Sequence, residues 1–213
     1  MTDSRDPAVV QLLTAARIIP VLTIERVEDA IPLARALVAG GVRTLEITLR
    51  TEAAVVAAEA IIADVPDAVV GIGTILTPDD LAQAVSLGAR FGVSPGATPE
   101  LLDAVAQSEL PFLPGVATAS ELMQAQARGF NTLKFFPAEQ AGGIAMLRAL
   151  AGPFPQTRFC PTGGIGAANA AAWLAEPNVL AVGGSWLCPA TDVRAGNWSA
   201  ITARCAEAMK TSA

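Results

Sequence analysis

The chain has two lysines, Lys134 and Lys210, and no histidine. Amine chemistry therefore has two candidates, and Lys210 lies at the very end of the sequence. Lys134 sits in the apolar run TLKFFP (132–137). In an extended strand alternate side chains share a face. Thr132, Lys134 and Phe136 then share one face, and Leu133 and Phe135 the other. Residues 44–50, TLEITLR, repeat the pattern: Leu45, Ile47 and Leu49 make an apolar face, and Thr44, Glu46, Thr48 and Arg50 a polar one. A lone buried ammonium or carboxylate is costly, so such groups pair or change protonation state. Two readings stay open. One is a structural ion pair. The other is a working pair, in which a desolvated lysine attacks a carbonyl to form an imine and the carboxylate moves protons. Arginine, the usual cation of this chain, cannot form an imine.

Arg50 ends its run, where a guanidinium fork could grip a carboxylate in two contacts. Thr74, in Gly73-Thr74, would supply a second donor. The last two β-rich runs end in Thr162-Gly163-Gly164 and Gly183-Gly184-Ser185. Paired glycines there let backbone N–H groups approach an anion, as in the phosphate sites of barrel enzymes. Cys160 shares the parity of Thr162 and reads as core filler. Trp173 and Trp198 read as packing.

The elements that must position these residues form a rhythm. Short β-rich runs begin near Ile18, Thr44, Val69, Phe91, Pro111, Thr132, Arg158 and Val179. They recur about every 23 residues, the length of one strand plus one helix. The segments between them carry helix signals. Thr77-Pro78 and Thr98-Pro99 pair an N-cap with a first-turn proline. Thr118 and Glu121 form a capping box. Gly41, Gly88 and Gly129 read as helix stops.

Eight such units predict a (β/α)₈ barrel with an extra N-terminal helix from about Asp6 to Arg17, as one domain over residues 1–213. In such a barrel the second and sixth strands face each other. Glu46 and Lys134 then approach from opposite walls, with room for a small substrate between them. A doubly wound sheet is the alternative, but no G-x-G-x-x-G follows the first run.

Composition excludes several function classes. A formal net charge of −6 argues against a nucleic-acid partner. The lack of histidine removes Ser-His-Asp and Cys-His catalysis and His-rich metal sites. The three cysteines, Cys160, Cys188 and Cys205, fit no metal spacing and suit a reduced cytoplasm. No apolar run approaches the ~20 residues of a membrane span, and no signal peptide is expected from the polar, acidic start MTDSRDP.

The segments GGVRTLEITLRTEAA (40–54), GIGTIL (71–76), FGVSPG (91–96), FLPGVATASEL (112–122), TLKFFPAE (132–139), RFCPTGGIGAAN (158–169) and GGSWL (183–187) together resemble the 2-keto-3-deoxy-6-phosphogluconate (KDPG) aldolase family, which includes the 4-hydroxy-2-oxoglutarate aldolases. The resemblance covers nearly the whole chain. It implies a class I, Schiff-base aldolase on a (β/α)₈ barrel that splits KDPG into pyruvate and D-glyceraldehyde 3-phosphate. It implies no cofactor and no metal, a cytoplasmic homotrimer, and a phosphorylated 2-keto acid as the small-molecule partner. Lys134 matches the Schiff-base lysine and Glu46 the general acid/base. Arg50 and Thr74 match residues that hold the pyruvyl carboxylate. Thr162, Gly163, Gly164, Gly184 and Ser185 match positions near the distal hydroxyls and phosphate. Pro95 and Phe136 match residues lining the pocket. Versions acting on 4-hydroxy-2-oxoglutarate or phosphogalactonate, a phosphosugar isomerase or epimerase without a covalent step, and a non-catalytic binder remain as alternatives.

Overall fold

A computed structural model describes residues 5–211. Helix α1 (Arg5–Ala16) leads into strand β1 (Ile18–Leu22). Strands and helices then alternate: α2 (Val27–Ala39), β2 (Thr44–Thr48), α3 (Ala54–Asp64), β3 (Val69–Gly73), α4 (Pro78–Ser86), β4 (Phe91–Val93) and α5 (Pro99–Gln107). The short strands β5 (Phe112–Leu113) and β6 (Gly115–Val116) follow, then α6 (Ala119–Gln126), β7 (Thr132–Phe135), α7 (Gly143–Ala151) and β8 (Arg158–Pro161). The chain closes with α8 (Ala170–Leu174), β9 (Val182–Gly184), α9 (Ala190–Arg194) and α10 (Trp198–Thr211).

The local signals act as their chemistry requires. Thr77 and Thr118 each cap a helix within a reciprocal capping box, completed by Asp80 and Glu121, and Thr98 caps α5. Gly41, Gly88 and Gly129 all take positive φ where a helix turns into the next strand.

All strand pairs are parallel. One sheet has the order β5-β4-β3-β2-β1-β9 and the other β6-β7-β8. Two isolated bridges, Phe159 with Val179 and Thr162 with Gly183, link the β8 region to the β9 region. The fifth predicted run is therefore two strands rather than one. Pro114 separates them, because proline has no N–H for the ladder, although its carbonyl still accepts from Lys134 N at 3.0 Å. The eighth run is shorter than predicted: Val179 makes only a lone bridge, and regular pairing starts at Val182.

Strand alternation sorts the core in two. Leu45, Ile47, Val70, Ile72, Leu133, Phe135, Phe159 and Val182 pack outward against the helices, in one cluster with Leu33, Leu37, Ile61 and Leu147. A second cluster on the opposite face of the strands joins Ile19, Phe91, Val93, Leu113, Cys160 and Ala181 to Val9, Leu13 and Ala16 of α1. Helix α1 is thus an apolar plug. Its Asp6 carboxylate accepts from the backbone N–H groups of Asn131 and Thr132 at the start of β7. Fully burying side chains of this size contributes about 1.5–3 kcal/mol each, so apolar residues fill the end sealed by α1. Lys134 stands on the same face, level with Cys160 in the ladder.

Candidate active site

Glu46 on β2 and Lys134 on β7 meet. Lys134 Nζ donates to Glu46 Oε1 at 3.2 Å, and both residues are 3% exposed. The expected substrate-sized gap between them is absent. The two side chains are long enough to span the space, and a buried charge is stabilised by its partner. A reacting molecule must therefore reach the pair from the open end of the strands. The Phe136 ring lies 5.2 Å from Lys134 Nζ, within cation–π range. Cys160 pairs with Lys134 in the ladder. Burial pushes its thiol up to about 12, against the pull of the Lys134 charge. It is core filler and no nucleophile, since the thiolate is the reactive form.

Room for the Glu46 carboxylate comes from β3. A β-carbon on Gly73 would stand 2.7 Å from Glu46 Cγ, which no real packing tolerates.

Arg50 and Thr74 follow β2 and β3 and touch each other: Arg50 Nε donates to Thr74 Oγ1 at 3.0 Å. Thr74 takes φ +61°, a strained conformation for a β-branched residue. The two terminal nitrogens of Arg50 have no hydrogen-bond partner among the described residues, so the fork is free for a carboxylate.

A cleft of about 230 Å³ is lined by Arg50, Lys134, Phe136, Thr162, Gly163, Gly164, Gly184 and Ser185, together with Val21, Thr23 and Ile165. Eight residues singled out from sequence thus share one cavity. Glu46 reaches it through Lys134, and Thr74 through Arg50. Pro95 is not part of this lining; its backbone abuts Gly115. No described residue accepts from the backbone N–H of Gly164, Ile165 or Ser185. The cleft therefore has a cationic end, at Lys134 and Arg50, and an end of unused amide donors that suits an anion.

Sequence reasoning missed three residues beside the second glycine loop. Asn169, Glu139 and Trp173 form a hydrogen-bonded group against Gly164 and Gly166. Glu139 and Asn169 stood inside the quoted motifs, but nothing in their spacing marks them. Val21 and Thr23, also missed, line the cleft because β1 is the neighbour of both β2 and β9.

Residues 9–204 match the family model described as KDPG and KHG aldolase. Among curated proteins, the KHG/KDPG aldolase of Escherichia coli (strain K12) is 50% identical over 199 residues, 93% of either chain. The 2-dehydro-3-deoxy-phosphogluconate aldolase of Dickeya dadantii is 51% identical over 199 residues, again 93% of either chain. Among solved structures, KDPG aldolase from Legionella pneumophila superposes with a TM-score of 0.92 at 50% identity, covering 93% of this chain and 97% of that one. In that structure pyruvate is captured at low pH as a covalent carbinolamine intermediate.

Proposed function

The chain belongs to the KDPG and KHG aldolase family, and we infer from that premise that it is a class I aldolase. It is a carbon–carbon lyase that splits 2-dehydro-3-deoxy-6-phosphogluconate into pyruvate and D-glyceraldehyde 3-phosphate. The observation that carries the covalent mechanism is the buried contact of Lys134 with Glu46 beneath a cleft holding a free guanidinium fork. The covalent pyruvate of the Legionella relative supports the same chemistry.

We assign the steps to residues as follows. Glu46 accepts a proton from the Lys134 ammonium, and the neutral amine adds to carbon 2 of the keto acid. Glu46 gives that proton to the carbinolamine hydroxyl, which leaves as water; a protonated imine remains and Glu46 is a carboxylate again. Arg50, with the Thr74 hydroxyl, holds the substrate carboxylate. Glu46, directly or through one water, takes the proton from the carbon-4 hydroxyl. The bond between carbons 3 and 4 breaks, its electron pair flows into the iminium, and an enamine of pyruvate remains. The aldehyde leaves. Carbon 3 then gains a proton from Glu46, and hydrolysis frees pyruvate and Lys134. Phe136 walls the pocket. Thr162, Gly163, Gly164, Gly184 and Ser185 hold the distal hydroxyls and phosphate. Pro95 supports the pocket from behind.

We read the two sheets as one closed (β/α)₈ barrel in a single domain, with β5 and β6 as halves of one strand interrupted at Pro114 and the Thr162–Gly183 bridge as the closing seam. The enzyme is proposed to act in the cytoplasm as a homotrimer without a cofactor. Three buried free thiols suit a reducing compartment, and sedimentation tests the trimer. The double name of the E. coli relative supports 4-hydroxy-2-oxoglutarate as a second substrate.

The deciding experiment is borohydride trapping with pyruvate, followed by peptide mapping. A three-carbon adduct on Lys134 is expected. No adduct on active, folded protein would overturn the covalent mechanism and favour a non-covalent isomerase.

A further inference from the structure

The glycine loop after β8 is fixed by side chains that never reach the cleft. Asn169 Oδ1 accepts from Gly166 N at 2.8 Å. Asn169 Nδ2 donates to Gly164 O at 3.1 Å and to Glu139 Oε1 at 3.0 Å. The fully buried Trp173 donates its indole N–H to the same Glu139 oxygen at 2.9 Å. The backbone adds two bonds to the loop after β7: Ala138 N to Thr162 O at 2.8 Å, and Glu139 N to Gly163 O at 3.1 Å. Gly164 takes φ +75°, and a β-carbon on it would stand 2.6 Å from Glu139 Cγ. Loop and brace are therefore in tight contact.

We propose that Asn169 is a positioning residue for the phosphate end of the substrate. It clamps the Gly164–Gly166 turn through both ends of its amide, and Glu139 and Trp173 anchor it. The chemistry makes such a brace consequential. No Lys or Arg side chain lines this end of the cleft, and the only cations in the lining are Arg50 and Lys134. An anion there is held by backbone N–H groups whose directions depend wholly on the loop. An amide that donates and accepts at once fixes both sides of the turn. The brace touches neither Lys134 nor Glu46, so its influence falls on the distal end of the substrate and not on the imine.

The proposal rests on the phosphorylated-substrate reading. Its test compares cleavage of the 6-phosphorylated substrate with cleavage of the same 2-keto acid lacking the phosphate. Asn169→Ala should raise KM for the phosphorylated substrate roughly tenfold, the scale expected when one or two fixing hydrogen bonds are lost. The kcat/KM for the unphosphorylated acid and the rate of pyruvate trapping on Lys134 should stay within about twofold. Glu139→Ala should act in the same direction, and Glu139→Gln, which keeps an acceptor oxygen for Trp173, should recover most of the loss. Parallel losses on both substrates and in trapping would reduce Asn169 to a general structural role and overturn the proposal. Equal KM values for Asn169→Ala and the parent would overturn it too. If the parent enzyme itself does not prefer the phosphorylated substrate, the phosphate reading fails first, and the parental assay shows this without any variant.

Discussion

Gly73 and Glu46 compete for the same volume. Gly73 faces the inner side of β3 directly opposite the Glu46 carboxylate, and only the missing β-carbon lets that carboxylate stand beside Lys134. Gly73→Ala should therefore displace Glu46. We expect kcat to fall about 10-fold or more, because a general acid/base acts only in the right geometry. Pyruvate trapping on Lys134 should survive. Parental kcat in a variant shown to be folded would mean that Glu46 can retreat without cost to the chemistry.

Lys134→Met should abolish turnover and trapping, and it should also change stability in an informative way. It leaves Glu46 buried without its cation, a situation that typically costs about 3–5 kcal/mol. Adding Glu46→Gln to Lys134→Met removes the stranded charge. The double variant should be more stable than Lys134→Met alone, and urea unfolding of the four proteins reads this directly. Additive losses would show that the two groups do not depend on each other.

Glu46→Gln alone should still form the imine but slow turnover by roughly 10²–10⁴-fold, the usual weight of a positioned acid/base. Trapping yield and steady-state rate, measured side by side, separate the two steps. A parental rate would remove Glu46 from the role of base.

Arg50→Lys should raise KM for 2-keto acids by roughly tenfold, because an ammonium cannot reproduce a two-pronged grip on a carboxylate. It also loses the directed contact to Thr74. An unchanged KM would place the carboxylate elsewhere in the cleft.

The three thiols should be silent in the native protein. Burial pushes Cys160 and Cys188 up to about 12 and Cys205 to about 11. A thiol whose folded-state value lies this far above pH 8 holds very little thiolate there. A disulfide reagent at pH 8 should label none of them in the folded enzyme and all three in urea. Fast labelling of Cys160 in native protein would contradict its place in the sealed interior.

The sequence alone carried the chemistry and most of the repeating plan. One inward-parity lysine, a carboxylate on a like strand and no histidine by themselves narrow the mechanism, because residue type limits what a site can do. Threonine caps and glycine stops were legible too, since they depend on neighbours within a few residues. Other features needed the tertiary structure. The number of separate strands depended on whether Pro114 could be bridged within the ladder. The direct Lys134–Glu46 contact depended on how far two opposed side chains reach across a particular interior. The brace from Asn169 to Glu139 joins residues 30 positions apart. It exists only because parallel strands β7 and β8 are neighbours and bring their following loops together. Local rules fix helices, turns and side-chain parity; distances between elements come from packing the whole chain, and no short window of sequence contains them.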